Sequence, residues 1–149
     1  MPSIFLFLLL IILVILSGFL SGSETAITAT SKARILYKKK KGSKRAEYVL
    51  QLLDKKDNVI STLLLSNNLV NILASSLATA FFYDIFGVEG IFYATLIMTV
   101  VIVIFAEVLP KTYAINRPNR TALLISPIIY YLNKILFIFV FLINLIVRL

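Results

Sequence analysis

Cysteine and histidine are absent from this 149-residue chain. Without cysteine there is no disulfide, no thiolate nucleophile and no zinc–thiolate site. Without histidine the commonest general base and the commonest transition-metal ligand are both missing. Acidic side chains are scarce as well, 7 against 15 basic ones. Most hydrolase, redox and zinc chemistry is excluded on these grounds. Ser and Glu are present, but no base–nucleophile pair is apparent, so an enzyme is not expected.

What is abundant is oil. Hydrophobic residues make up 60% of the chain, with a mean hydropathy of +0.97. Soluble domains run nearer 45–50% apolar, so the expected solvent is a bilayer. The position of the charge supports this. Ten of the fifteen basic residues lie between Lys32 and Lys56, including the run Lys38–Lys41. The apolar stretches Ile4–Leu16, Ile91–Leu109 and Ile135–Val147 hold no Lys or Arg. This is the positive-inside pattern, with one basic loop on the cytoplasmic side, next to anionic lipid headgroups. No aromatic-interleaved basic module accompanies the loop, so no nucleic-acid partner is expected.

Three spanning helices are predicted, at about residues 4–23, 59–82 and 91–109. Met1–Phe7 carries no Lys or Arg, so a cleaved signal peptide is not expected. The first span runs inward from an outside N-terminus and ends in the cluster Ser23–Thr30. Within the basic loop, Ala46, Val49, Leu50 and Leu53 have helical spacing, which predicts a short cytoplasmic helix over Arg45–Leu53. The second span is polar for a lipid-facing helix, with Ser66, Asn67, Asn68, Asn71, Ser75, Ser76 and Thr79, and should sit inside a bundle. The third ends at Pro110-Lys111. In Thr121–Leu149, Pro127 is expected to break the helix, and Lys134 in mid-span would cost about 3 kcal/mol. Short interfacial helices over about 121–149 are therefore expected, with Lys134 snorkelling and the C-terminus cytoplasmic. The apolar end at Val147-Arg148-Leu149 suggests a membrane domain cut from a longer protein. The predicted class is an all-α, multi-pass cell-membrane protein, N-terminus outside, with a homodimer interface drawn from spans two and three.

Polar groups inside a membrane mark function by default. Ser17 and Ser21 share one face of span one, and Gly18 and Gly22 form a G-x-x-x-G that lets a helix backbone approach. Asn67 and Asn71 are likewise four apart, and Glu107 stands three residues before Pro110. With a hydrocarbon core of about 30 Å and a rise of about 1.5 Å per residue, all three sets fall in the inner half of the bilayer. Two hydroxyls, two amide carbonyls and one carboxylate give five hard oxygens. Pro110 cannot donate to the Ala106 carbonyl, which offers a sixth. Such a set suits Mg2+, or Na+ as competitor, and with one formal charge it can release its ion. Each part has a plainer explanation. Serines bond back to the i−4 carbonyl, asparagines glue helices, and Glu107 can pair with Lys111.

At these residues the chain resembles a known family. Leu16-Ser17-Gly18-Phe19-Leu20-Ser21-Gly22-Ser23-Glu24-Thr25-Ala26, then Ser66-Asn67-Asn68-Leu69-Val70-Asn71, then Ala106-Glu107-Val108-Leu109-Pro110-Lys111-Thr112 are similar to the transmembrane domain of the CorC/cyclin M (CNNM) proteins. The resemblance covers essentially the whole chain. It implies a homodimer with three spans per subunit and a juxtamembrane helical belt. It also implies a following cytoplasmic pair of ATP-binding CBS modules and Na+-coupled Mg2+ export through an inward-facing Mg2+ site. Ser17, Ser21, Asn67, Asn71 and Glu107 match that site. A Mg2+-sensing regulator of another transporter would need the same oxygens, and a simple membrane anchor would need none.

Overall fold

The computed structural model describes residues 2–149. It is all-helical among the described residues. The elements are α1 (Pro2–Ala29), α2 (Lys32–Lys40), α3 (Lys44–Asp54), α4 (Lys56–Phe86), α5 (Glu89–Val101), a π-helical segment (Ile102–Val108), α6 (Leu109–Asn116), α7 (Pro118–Ile135) and α8 (Phe137–Arg148). Three stretches are long and apolar enough to cross a membrane: Ser3–Ala29, Lys56–Phe86 and Glu89–Asn116. The chain divides into two compact units, to both of which α1 and α4 contribute.

The first unit comprises residues up to Ser21 and Ser66–Pro110. Its core is Leu10 and Leu13 of α1, Ala74 and Ala78 of α4 and Met98 of α5. The two alanines are four apart and almost wholly buried, so small side chains let the helices close up. Ile4, Phe5, Leu8, Ile12 and Ile15 point outward and are exposed, as a lipid-facing surface requires. The α4–α5 turn depends on two glycines. Gly87 has φ +68, the left-handed conformation that closes a helix, and its N–H bonds the Tyr83 carbonyl at 2.8 Å. A β-carbon on Gly90 would lie 2.2 Å from the Phe82 carbonyl oxygen, so no other residue fits.

The helix of the third predicted span continues past Pro110 to Asn116. The π-helical segment absorbs the proline. In it the Leu109 N–H bonds the Ile104 carbonyl, five residues back. One extra residue per turn moves the missing N–H of Pro110 to a different place in the ladder without stopping the helix.

The second unit comprises Gly22–Leu65 and Lys111–Leu149. Ser43 caps α3 by accepting from the Ala46 N–H at 3.3 Å, and the short helix expected over Arg45–Leu53 forms over Lys44–Asp54. The same loop holds a helix not foreseen, α2, whose only buried side chain is Ile35. One apolar contact among charged neighbours leaves no periodicity to read. Apolar Ala46, Val49, Leu50 and Leu52 of α3 are buried, as are Ala122, Ile125 and Ile129 of α7, and the Tyr48 ring lies 5.1 Å from that of Tyr130. The Tyr48 phenol is held above its ordinary range, chiefly by a hydrogen bond with Tyr131 and by that ring's charge.

Pro127 was expected to break the last stretch, yet α7 passes through it and the chain bends at Leu136 instead, by 68°. Pro127 cannot donate to the Leu123 carbonyl four residues back. The Ser126 hydroxyl does so at 3.0 Å. The neighbouring Leu124 carbonyl accepts from Arg45 Nη1 at 3.2 Å. Two asparagines of this last stretch are ties. Asn133 Oδ1 accepts from Thr62 Oγ1 at 2.8 Å, and Asn144 Nδ2 donates to Asn58 Oδ1 at 3.1 Å. Lys134 is exposed, with Nζ 5.8 Å from the Tyr130 ring centre, a cation–π distance.

Candidate ion site

The first unit draws Ser17 from α1 and Asn67 and Asn71 from α4 onto one point. Ser17 Oγ lies 2.7 Å from Asn67 Oδ1 and 2.5 Å from Asn71 Oδ1. Ser17 and Asn67 are buried, and Asn71 is half-buried. Four-residue spacing on α4 stacks Asn67 and Asn71 on one face, which is why a single serine reaches both. A hydroxyl carries one proton. Two carboxamide oxygens face it, so only one can receive that proton at a time. The other oxygen meets the serine oxygen with no hydrogen between them. Such a triangle has more lone pairs than protons, a chemistry that suits a cation.

Ser21 is fully buried one helical turn below Ser17 on α1. Glu107 is half-buried in the π-helical segment. That segment packs directly on α1 beside the triangle. A β-carbon on Gly18 would lie 3.1 Å from the Phe105 carbonyl oxygen and 3.1 Å from Pro110 Cγ. Gly18 thus lets the Phe105–Pro110 backbone approach next to Ser17, the role its G-x-x-x-G pattern suggested. Glu107 is carried on this backbone, two residues from Phe105. Among the described residues no group of three or more His, Cys, Asp or Glu side chains that could hold a metal occurs.

The backbone oxygen differs from the one expected. In an α-helix, Pro110 would orphan the Ala106 carbonyl. In the π register the carbonyl five residues before Pro110 is that of Phe105, and its α-register donor, the Leu109 N–H, is spent on Ile104. Phe105 therefore stands outside the regular ladder, and its oxygen is the one that faces Gly18. The residue types around Pro110 announce a disturbed helix, but its register depends on what packs against it.

The comparisons with known proteins agree with this architecture. The family model described as the cyclin M transmembrane N-terminal domain matches residues 8–149. A "UPF0053 protein" of Haemophilus influenzae is 38% identical over 139 residues, 93% of this chain and 33% of that protein. The "UPF0053 inner membrane protein YfjD" of Escherichia coli is 40% identical over 131 residues, 80% of this chain and 31% of that protein. A "DUF21 domain-containing protein At1g55930, chloroplastic" of Arabidopsis thaliana is 30% identical over 130 residues, 87% of this chain and 20% of that protein. The chain spans about a third or less of the length of these relatives. With a match over nearly its whole length and three helices long enough to span a bilayer, the chain belongs to the cyclin M transmembrane-domain family of multi-pass membrane proteins.

Proposed function

We propose that this domain moves Mg2+ across the membrane, as Na+-coupled export by alternating access in a homodimer. The observation that carries the reading is the convergence of Ser17, Asn67 and Asn71 oxygens with one proton among them. Ser21, Glu107 and the Phe105 carbonyl complete an oxygen set of the number that Mg2+ takes. The Glu107 carboxylate supplies the formal charge, and the neutral donors keep the site weak enough to release its ion. In this reading the site opens to the inner side. The C-terminus is cytoplasmic, with α7 and α8 lying at the inner interface.

Membrane relatives with this domain support an ion-transport role, and family membership supports Mg2+ as cargo. The test is flux. The full chain is reconstituted in liposomes containing a Mg2+ dye, with and without a Na+ gradient. Gradient-dependent Mg2+ movement that Asn67→Ala abolishes is the expected result. Mg2+ binding with no movement under any gradient favours a sensor that regulates another transporter. The topology is checked on Lys40→Cys in intact cells, where labelling by an impermeant reagent from outside overturns the depth assignment.

A further inference from the structure

The second unit carries a cationic cleft that the ion site does not use. It has a volume of about 280 Å³ and is lined by Arg34 and Lys38 of α2 and by residues 116–120 of the α6–α7 link, including Arg117 and Arg120. Arg34 and Lys38 are four apart and share a helix face, held down by buried Ile35 between them. The link is fastened to this face by Asn119, whose Oδ1 accepts from Thr30 Oγ1 and from the Ser31 N–H, both at 2.8 Å. Neutral hydrogen bonds thus bring four cations together. No carboxylate lines the cleft, and none of the four is ion-paired among the described residues; Lys32 alone of this neighbourhood reaches an acid, Asp54 at 3.9 Å. Four uncompensated like charges around one hollow attract an anion, and two of them are arginines, whose forks match phosphate oxygens.

The cleft continues into an apolar stripe. Arg120, Leu124, Ile128, Tyr131 and Ile135 follow one another at spacings of three and four along α7, whose N-cap is Arg117, and all six are exposed. A basic end and an apolar track on one helix face have the shape of a phospholipid. A soluble phosphate would use the cleft and leave the track bare in a protein surrounded by lipid. We propose that this surface binds one anionic phospholipid, its phosphate held by Arg34, Lys38, Arg117 and Arg120 and an acyl chain laid along Leu124, Ile128 and Ile135. The site is independent of the ion reading and would stand if no ion were moved.

The test uses the full chain in nanodiscs of phosphatidylcholine with a minor fraction of phosphatidylglycerol. The chain has no tryptophan, so Leu124→Trp introduces a single reporter on the stripe. Lipid brominated on its acyl chains quenches it on contact. Quenching by brominated phosphatidylglycerol should exceed that by brominated phosphatidylcholine several-fold at equal mole fraction. The excess should vanish in Arg117→Gln/Arg120→Gln and in Arg34→Gln/Lys38→Gln, and persist in Lys39→Gln/Lys40→Gln, which removes the same charge from the same basic loop. Native mass spectrometry of the chain without the reporter should show one more retained phosphatidylglycerol than its Arg117→Gln/Arg120→Gln form. Equal quenching by the two lipids, or equal loss in the Lys39/Lys40 pair, overturns the proposal, since both mean diffuse attraction. Loss of the excess on adding millimolar inorganic phosphate also overturns it, since that marks a soluble-anion site.

Discussion

The two units use the same polar residues in opposite ways. In the second unit no two carboxamide oxygens of the helix–helix ties meet at one donor. Asn119 Oδ1 takes two donors, Asn133 Oδ1 shares the Thr62 hydroxyl with the Asn58 main-chain carbonyl, and Asn58 Oδ1 takes an amide proton of Asn144. In the first unit, Asn67 and Asn71 share the single proton of Ser17. Both arrangements place asparagines on long helices. What separates glue from a candidate site is how many carboxamide oxygens converge on one proton: two meet at Ser17, and none of the second-unit ties brings two together.

This contrast can be broken most severely at Glu107. Glu107→Gln keeps the shape and removes the only formal charge among the proposed ligands. It should weaken Mg2+ binding roughly a hundredfold, about 2.7 kcal/mol, with assembly unchanged, as read by calorimetry and size-exclusion scattering. Lys111→Met should leave Mg2+ affinity intact; equal damage from both changes would make Glu107 a structural partner of Lys111.

A paired comparison comes next. Asn71→Ala should lower Mg2+ affinity about tenfold, about 1.4 kcal/mol, while leaving thermal stability nearly unchanged without the ion. Asn133→Ala should do the reverse, costing about 1 kcal/mol of stability by removing one helix–helix hydrogen bond, while the Thr62 hydroxyl keeps the Asn58 carbonyl, and sparing Mg2+ affinity. Melting curves with and without Mg2+ separate the two. A matching loss of stability in both variants would abolish the distinction between the units.

Gly18→Ala probes the close approach itself. Its β-carbon meets the Phe105 oxygen and Pro110 Cγ at 3.1 Å, so the π-helical backbone must shift. A cost of about 1–3 kcal/mol is expected, together with weaker Mg2+ binding. The smallest effect is at Ser126. Ser126→Ala strands the Leu123 carbonyl and should cost about 1 kcal/mol. In a Pro127→Ala background the restored N–H takes over that carbonyl, and the cost of Ser126→Ala should fall towards zero in a double-mutant cycle.

The large features were legible from composition and order alone. Apolar runs of bilayer length marked three spans, the helix spacing of Ala46, Val49 and Leu50 marked α3, and Asn67 and Asn71 announced a polar face on α4. These are one-dimensional signals, set by residue type and period. The rest depends on partners distant in sequence. Pro110 and Pro127 read alike as helix breakers, yet one is absorbed by a π register against Gly18 and the other by the Ser126 hydroxyl. Asn133 and Asn144 are met by Thr62 and Asn58, more than seventy residues away in sequence. Hydropathy decides which segments leave water, because that free energy belongs to each residue's own surface. The donor for a given carbonyl belongs to a pair, and only packing brings the two members together.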